Sequence, residues 1–142
     1  MPSVTPRITR CGSIREIRAM RVVFTLALPA ESYDCKRMSD EKLVISTAGS
    51  KDEASRIAIA LVEARLAACV NIIGPIDSVY RWQGKVESAE EFLLLIKTVA
   101  SRAPAVTARI RELHSYDLPE AIEVSIEGGS ADYLRWIADS VR

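Results

Sequence analysis

Residues 65–98 read RLAACVNIIGPIDSVYRWQGKVESAEEFLLLIKT. The stretch is a helix end feeding two strands that meet at a tight turn, Gln83-Gly84. Each arm runs about a dozen residues, roughly 40 Å at ~3.3 Å per residue, against ~5–6 residues for an ordinary strand. Gly74-Pro75 interrupts the first arm. Proline cannot donate to a ladder, so it marks a bulge or bend there. The second arm is polar at first (Glu87, Ser88, Glu90, Glu91) and then apolar on both faces (Phe92-Leu93-Leu94-Leu95-Ile96). A strand apolar on both faces has to be covered on both sides. Helices of the same chain can cover one side. The other side, with Tyr80 and Trp82 near the turn, predicts self-association.

Working outward, Leu43–Ala48 is a β-branched run ending at Gly49, a strand. Ser50 followed by Glu53 is a capping box. Ala54, Ile57, Ala58, Leu61, Val62 and Leu66 recur at helical spacing, which predicts a helix of about four turns packed on a sheet. Ser101–Leu113 predicts a second helix, with Pro104 in its first turn. His114–Glu120 is a loop, and 121–127 alternates as a half-exposed strand. Ser130 is placed to cap a last helix carrying Leu134, Ile137 and Val141. The order β-α-β-β-α-β plus a C-terminal helix is the α+β, ferredoxin-like split plan, here with a long hairpin joining its second and third strands.

The chain has 142 residues, 49% apolar and 27% charged, with formal net charge zero. That balance gives no reason to expect nucleic-acid binding. It hides a division: residues 1–37 are net +4 and residues 38–142 net −4. Residues 1–21 hold five arginines and one acid ahead of the apolar run Val22–Leu28, which is too short to span a membrane. Pro29 and Leu28 stand where a signal cleavage after Ala30 would want small residues. Residues 1–37 are therefore expected to be an extension, and residues 38–142, from Met38, the domain. The expected location is cytoplasmic; a genuine targeting segment would make the protein exported or organellar. Of the cysteines at 11, 35 and 69, only Cys69 lies in the domain, so no disulfide framework is expected. Cys69 reads as a buried structural thiol.

The pattern picks out no paired catalytic groups and no phosphate-cradling loop, so an enzyme is not expected. His114, the only histidine, follows a helix whose dipole favours an imidazolium. Tyr116, Asp117 and Glu120 nearby offer oxygens. A weak or transient metal or small-ligand site is conceivable there; a helix-end residue without a ligand role is the plainer account. Glu87, Glu90 and Glu91 read better as a solvated strand segment than as a carboxylate cluster. Tyr80 and Trp82 read better as interface packing than as a ligand platform.

The stretch 65–98, together with HSYDLPE (114–120) and GGSADYLRWI (128–137), resembles the CutA family of divalent-cation tolerance proteins, from about Leu43 to Ile137. The resemblance implies a ferredoxin-like homotrimer similar in architecture to PII signalling proteins, with links to copper tolerance and copper binding. His114-Ser115-Tyr116-Asp117 departs from the family's usual His-Pro-Tyr-Glu. Copper ligands proposed for some members fall here on Ser46, Leu113 and His114, so two of the three are missing. What the resemblance implies is a trimer that binds copper or another divalent metal in a metal-ion response, with His114 the candidate ligand. The alternative is a PII-like regulator binding a small ligand or a protein partner in a cleft near Tyr80, Trp82, Tyr116, Asp117 and Glu120.

Overall fold

In the computed structural model, which describes residues 40–142, the long hairpin is formed by β2 (Cys69–Trp82) and β3 (Lys85–Val99). Gln83 and Gly84 both take positive φ (47° and 82°), the two-residue turn whose twist suits a hairpin. Pairing runs from Cys69 opposite Lys97 to Trp82 opposite Lys85, with one extra residue on β2 between Ile73 and Ile76. Gly74-Pro75 occupies that bulge. A Cβ on Gly74 would stand 2.7 Å from Phe92 Cδ1 and 3.2 Å from the Glu91 carbonyl oxygen, so glycine is what lets the two arms approach.

β1 (Glu41–Ala48) pairs antiparallel with the inner half of β3, Phe92–Val99, and β4 (Ile122–Ser125) pairs with the other edge of β1. The sheet order is β2-β3-β1-β4, the ferredoxin-like arrangement. Residues 85–91 of β3 pair with β2 alone, so the outer hairpin is a two-stranded arm beyond the main sheet.

Helices α1 (Lys51–Glu63) and α2 (Ala103–Leu113) cover one face. Val44, Ala48, Leu94 and Ile96 from the sheet meet Ile57, Leu61, Val106 and Ile110 from the helices in one buried cluster, with Phe92 packed against it. Helix α3 (Ala131–Ser140) buries Ile137, and Val141 just beyond it, outside that cluster. Arg102 Nε and Arg65 Nη1 donate to the carbonyls of Val141 and Arg142 (2.9 and 3.5 Å), fixing the chain end after α3.

The other face of the sheet stays apolar. Directly opposed residues of an antiparallel pair share a face. The register therefore groups Leu43, Ile45, Leu93, Leu95, Ile73, Ile122 and Val124. Ile73, Ile122 and Val124 are 47%, 51% and 42% exposed, values that leave this face open to a partner. Lys97 Nζ donates to Asn71 Oδ1 on the same face.

Three expectations are corrected. Helix α1 ends at Glu63 rather than near Leu66, because Arg65 turns to φ 54° and the N–H groups of Leu66 and Ala67 both fold back on the Leu61 carbonyl. The last strand is limited to Ile122–Ser125. Cys69 is half-buried rather than buried, since it opens edge strand β2. The expected extension at 1–37 lies outside the described residues. Among those described, no helix is long and apolar enough to cross a membrane.

Candidate functional site

Three segments converge beside the open sheet face: the end of β1 with Gly49, the inner side of the hairpin arm, and the loop 114–120. Alternation along β3 puts Glu87 and Glu91 on the same face as Leu93 and Leu95. Cross-strand pairing adds Tyr80 opposite Glu87 and Thr47 opposite Leu93. Against these the loop lays Tyr116, Asp117 and Glu120. The result is a groove of about 690 Å³ whose walls include Tyr80, Trp82, Glu87, Glu91, Tyr116 and Glu120. A second hollow, about 500 Å³, runs along the outer face of α1 and is lined by that helix alone.

The groove is organised around Glu91, only 6% exposed. Its carboxylate accepts a hydrogen bond from the Tyr116 hydroxyl. Burial raises the Tyr116 phenol above its ordinary value, and the bond to Glu91 and its charge raise it further. Glu120 is also raised: burial comes first, then the negative charge of Glu91, partly offset by a hydrogen bond from Thr47. Two carboxyl groups thus face one another in a half-enclosed space, where a proton or a cation relieves their repulsion. The reading of Glu91 as part of a solvated strand is therefore corrected. The loop 114–120 covers it, a contact no local pattern reveals.

His114 is fixed behind the groove rather than in its lining. It stands at the C-terminal end of α2 with its side chain 0% exposed. Nε2 lies 2.7 Å from the Thr47 carbonyl oxygen, and the Tyr116 N–H donates to Nδ1 at 3.0 Å. A carbonyl only accepts and an N–H only donates, so the ring is the neutral Nε2–H tautomer with its lone pair in use. A metal at Nδ1 would have to displace the Tyr116 N–H. The ring also packs on Tyr116, centroids 4.8 Å apart.

Glu53, read in sequence only as half of a capping box, has a wider role. Its N–H donates to Ser50 Oγ (3.1 Å), as the box requires. Its carboxylate receives Gly49 N–H (3.3 Å), Ser115 N–H (2.7 Å) and the Ser115 hydroxyl (3.2 Å). Burial pushes this carboxyl up, but the Ser115 bonds, with a smaller contribution from Gly49, outweigh it and hold the group below its ordinary value. Arg56 lies 3.8 Å away and donates to the Leu113 carbonyl at 2.9 Å.

All five residues expected near a cleft, Tyr80, Trp82, Tyr116, Asp117 and Glu120, do line the one groove. Cys69 does not, and neither do the positions matching the proposed copper ligands: Ser46 is fully buried beneath the helices and Leu113 packs on the core cluster. Among the described residues no group of three or more His, Cys, Asp or Glu is placed to hold a metal ion. Sequence reasoning missed Glu91, Glu53, Thr47 and Gly49 as parts of the site. Glu91 had a usable signal, its even spacing from Leu93 and Leu95.

Comparison with known proteins agrees with this architecture. Residues 42–140 match the CutA1 divalent ion tolerance protein family. The divalent-cation tolerance protein CutA of Thermus thermophilus is 44% identical over 100 residues, covering 70% of this chain and 97% of that protein. The chloroplastic protein CutA 1 of rice is 43% identical over 100 residues, covering 70% of this chain and 56% of its own length. The crystal structure of CutA from Xylella fastidiosa superposes with TM-score 0.72 at 44% identity, covering 73% of this chain and 100% of that one. With a matching fold, matching length of domain and identity sustained across it, this chain belongs to the CutA1 family of divalent ion tolerance proteins.

Proposed function

We propose that this chain is a homotrimeric divalent-cation tolerance protein, a binding protein rather than an enzyme, that takes its cation in the groove between the hairpin arm and the loop 114–120. One observation carries the proposal: Glu91, a nearly buried carboxylate, lines the same groove as a second carboxyl, Glu120, with Tyr116 and Thr47 beside them. The donors are oxygens, which suit magnesium, manganese or calcium. Copper, the ion suggested by the family resemblance, would draw on His114 only if Tyr116 released Nδ1. The trimer is supported by the uncovered apolar sheet face, since exposed patches of this kind are interaction surfaces. Cytoplasmic residence is part of the proposal, although the rice relative is chloroplastic.

A second reading has its own support. The aromatic walls Tyr80, Trp82 and Tyr116 beside Asp117 and Glu120 suit a small, positively charged organic ligand, and the chain would then be a regulator rather than a cation binder. Calorimetric titration with Mn(II), Mg(II) and Cu(II) separates the two. Wild type is expected to bind, and a Glu91→Gln/Glu120→Gln variant to lose binding. Equal binding by both proteins would refute the groove as the cation site. No ion bound by wild type would leave the organic-ligand reading. Light scattering that finds a monomer at micromolar concentration would refute the trimer.

A further inference from the structure

We infer that Glu53 is a positioning residue of the groove: through Gly49 and Ser115 its carboxylate sets where the Tyr116 hydroxyl meets Glu91. The inference rests on the groove being the binding site, and it concerns what shapes that site.

A capping-box glutamate normally reaches back to the N–H of the cap residue on its own helix. Glu53 instead spends both oxygens elsewhere. Oε2 takes Gly49 N–H at the end of β1, and Oε1 and Oε2 take the N–H and hydroxyl of Ser115, 62 positions along the chain. Those two partners bracket the Tyr116 phenol. Gly49 lies under it: a Cβ there would stand 2.9 Å from the hydroxyl oxygen. Ser115 immediately precedes Tyr116 and so fixes where its Cα begins. One carboxylate, 9% exposed, thus holds both the floor beneath the phenol and the residue before it. Burying a carboxylate is costly unless it is fully bonded, and capping alone does not require contact with the distant loop. His114 completes the same assembly from the other side, since its Nδ1 accepts the Tyr116 N–H and its Nε2 meets the Thr47 carbonyl. Thr47 is the residue that bonds Glu120. Both groove carboxyl groups are therefore reached from the helix side of the sheet through single hydrogen-bonded residues.

The test follows the position of the Tyr116 ring at about pH 7 by NMR of ring-labelled tyrosine in the full chain, with Tyr116→Phe identifying the signal. In wild type the phenol oxygen sits against Gly49. Glu53→Gln and Glu53→Asp are both expected to move the Tyr116 ring resonances and to weaken the nuclear Overhauser contact between that ring and Gly49, with the Tyr133 ring unmoved. The Asp variant keeps the charge and loses the reach, so a shift in both variants assigns the effect to position. Ser115→Ala, which removes only the hydroxyl bond, is expected to shift the resonances less in the same direction. Divalent-ion affinity is expected to fall about tenfold or more in Glu53→Gln, the usual consequence of losing an outer partner of a ligand. Unchanged Tyr116 ring resonances with reduced urea stability would reduce Glu53 to a helix cap and overturn the inference. A shift in the Gln variant alone would assign the effect to charge and also overturn it. Should wild type bind no ion while the Tyr116 shift appears, the positioning role stands and the cation reading of the groove fails.

Discussion

Replacing His114 by alanine in the metal-free protein separates a ligand from a structural latch. The imidazole is fully enclosed and makes two hydrogen bonds, one to the Thr47 carbonyl and one from the Tyr116 N–H. Alanine leaves both backbone groups without those partners, at about 1–3 kcal/mol for each that stays buried, and opens a cavity the size of the ring. Water reaches the Tyr116 side more easily, because Tyr116 is 40% exposed. The expected loss is about 3 kcal/mol. His114→Gln keeps a donor for Thr47 and His114→Asn keeps an acceptor for Tyr116, so each is expected to lose about half as much. The assay is urea unfolding in chelator at one fixed protein concentration, because an oligomer's stability depends on concentration. A residue whose task is to bind metal would cost little when no metal is present. His114→Ala as stable as wild type under these conditions would refute the latch.

Other outcomes follow from the same geometry. Gly49→Ala forces the Tyr116 hydroxyl to move, since its new Cβ falls 2.9 Å from that oxygen. The Tyr116 phenol is expected to titrate lower in that variant, read by its ultraviolet difference spectrum. Glu53 and Glu120 give opposite pH dependences. Glu53 is held below 4.5 because the Ser115 bonds outweigh its burial. Its contribution is complete above about pH 4.5 and is lost as pH falls through its lower folded value. Glu120 is raised above 4.5 by burial and by Glu91; ionised, it opposes folding. Glu120→Gln is expected to be more stable than wild type at pH 7 by urea unfolding, with the gap closing as pH falls toward 4.5. Leu95→Glu places a charge in the middle of the uncovered sheet face without touching the helix-side core. Light scattering is expected to show a folded monomer in place of the assembly.

The fold was legible because its signals are local. The apolar run 92–96, the glycine at the hairpin turn and the Ser50 helix cap each act over a few residues, and each stands where expected. The site was legible only in part. The loop containing Tyr116, Asp117 and Glu120 and the arm containing Tyr80 and Trp82 could be named, but not joined. Joining depends on the sheet order, which brings β3 beside β1 and so sets Glu91 next to the loop after α2. Glu91 therefore looked like one of several solvated glutamates. His114 stood as the candidate ligand because sequence cannot show that both ring nitrogens meet backbone groups, one of them 67 positions away. Glu53 was recognised by its short-range bond to Ser50 and not by its bonds to Ser115, which exist only once α1 and α2 pack side by side.

The most direct test of the central claim is to locate the ion. Mn(II) added at substoichiometric amounts to isotope-labelled protein broadens the amide signals nearest to it. Broadening is expected first at Thr47, Glu91 and residues 116–120, and to disappear in the Glu91→Gln/Glu120→Gln variant. Broadening centred on Cys69 or elsewhere away from the groove, or unchanged in that variant, would contradict the account.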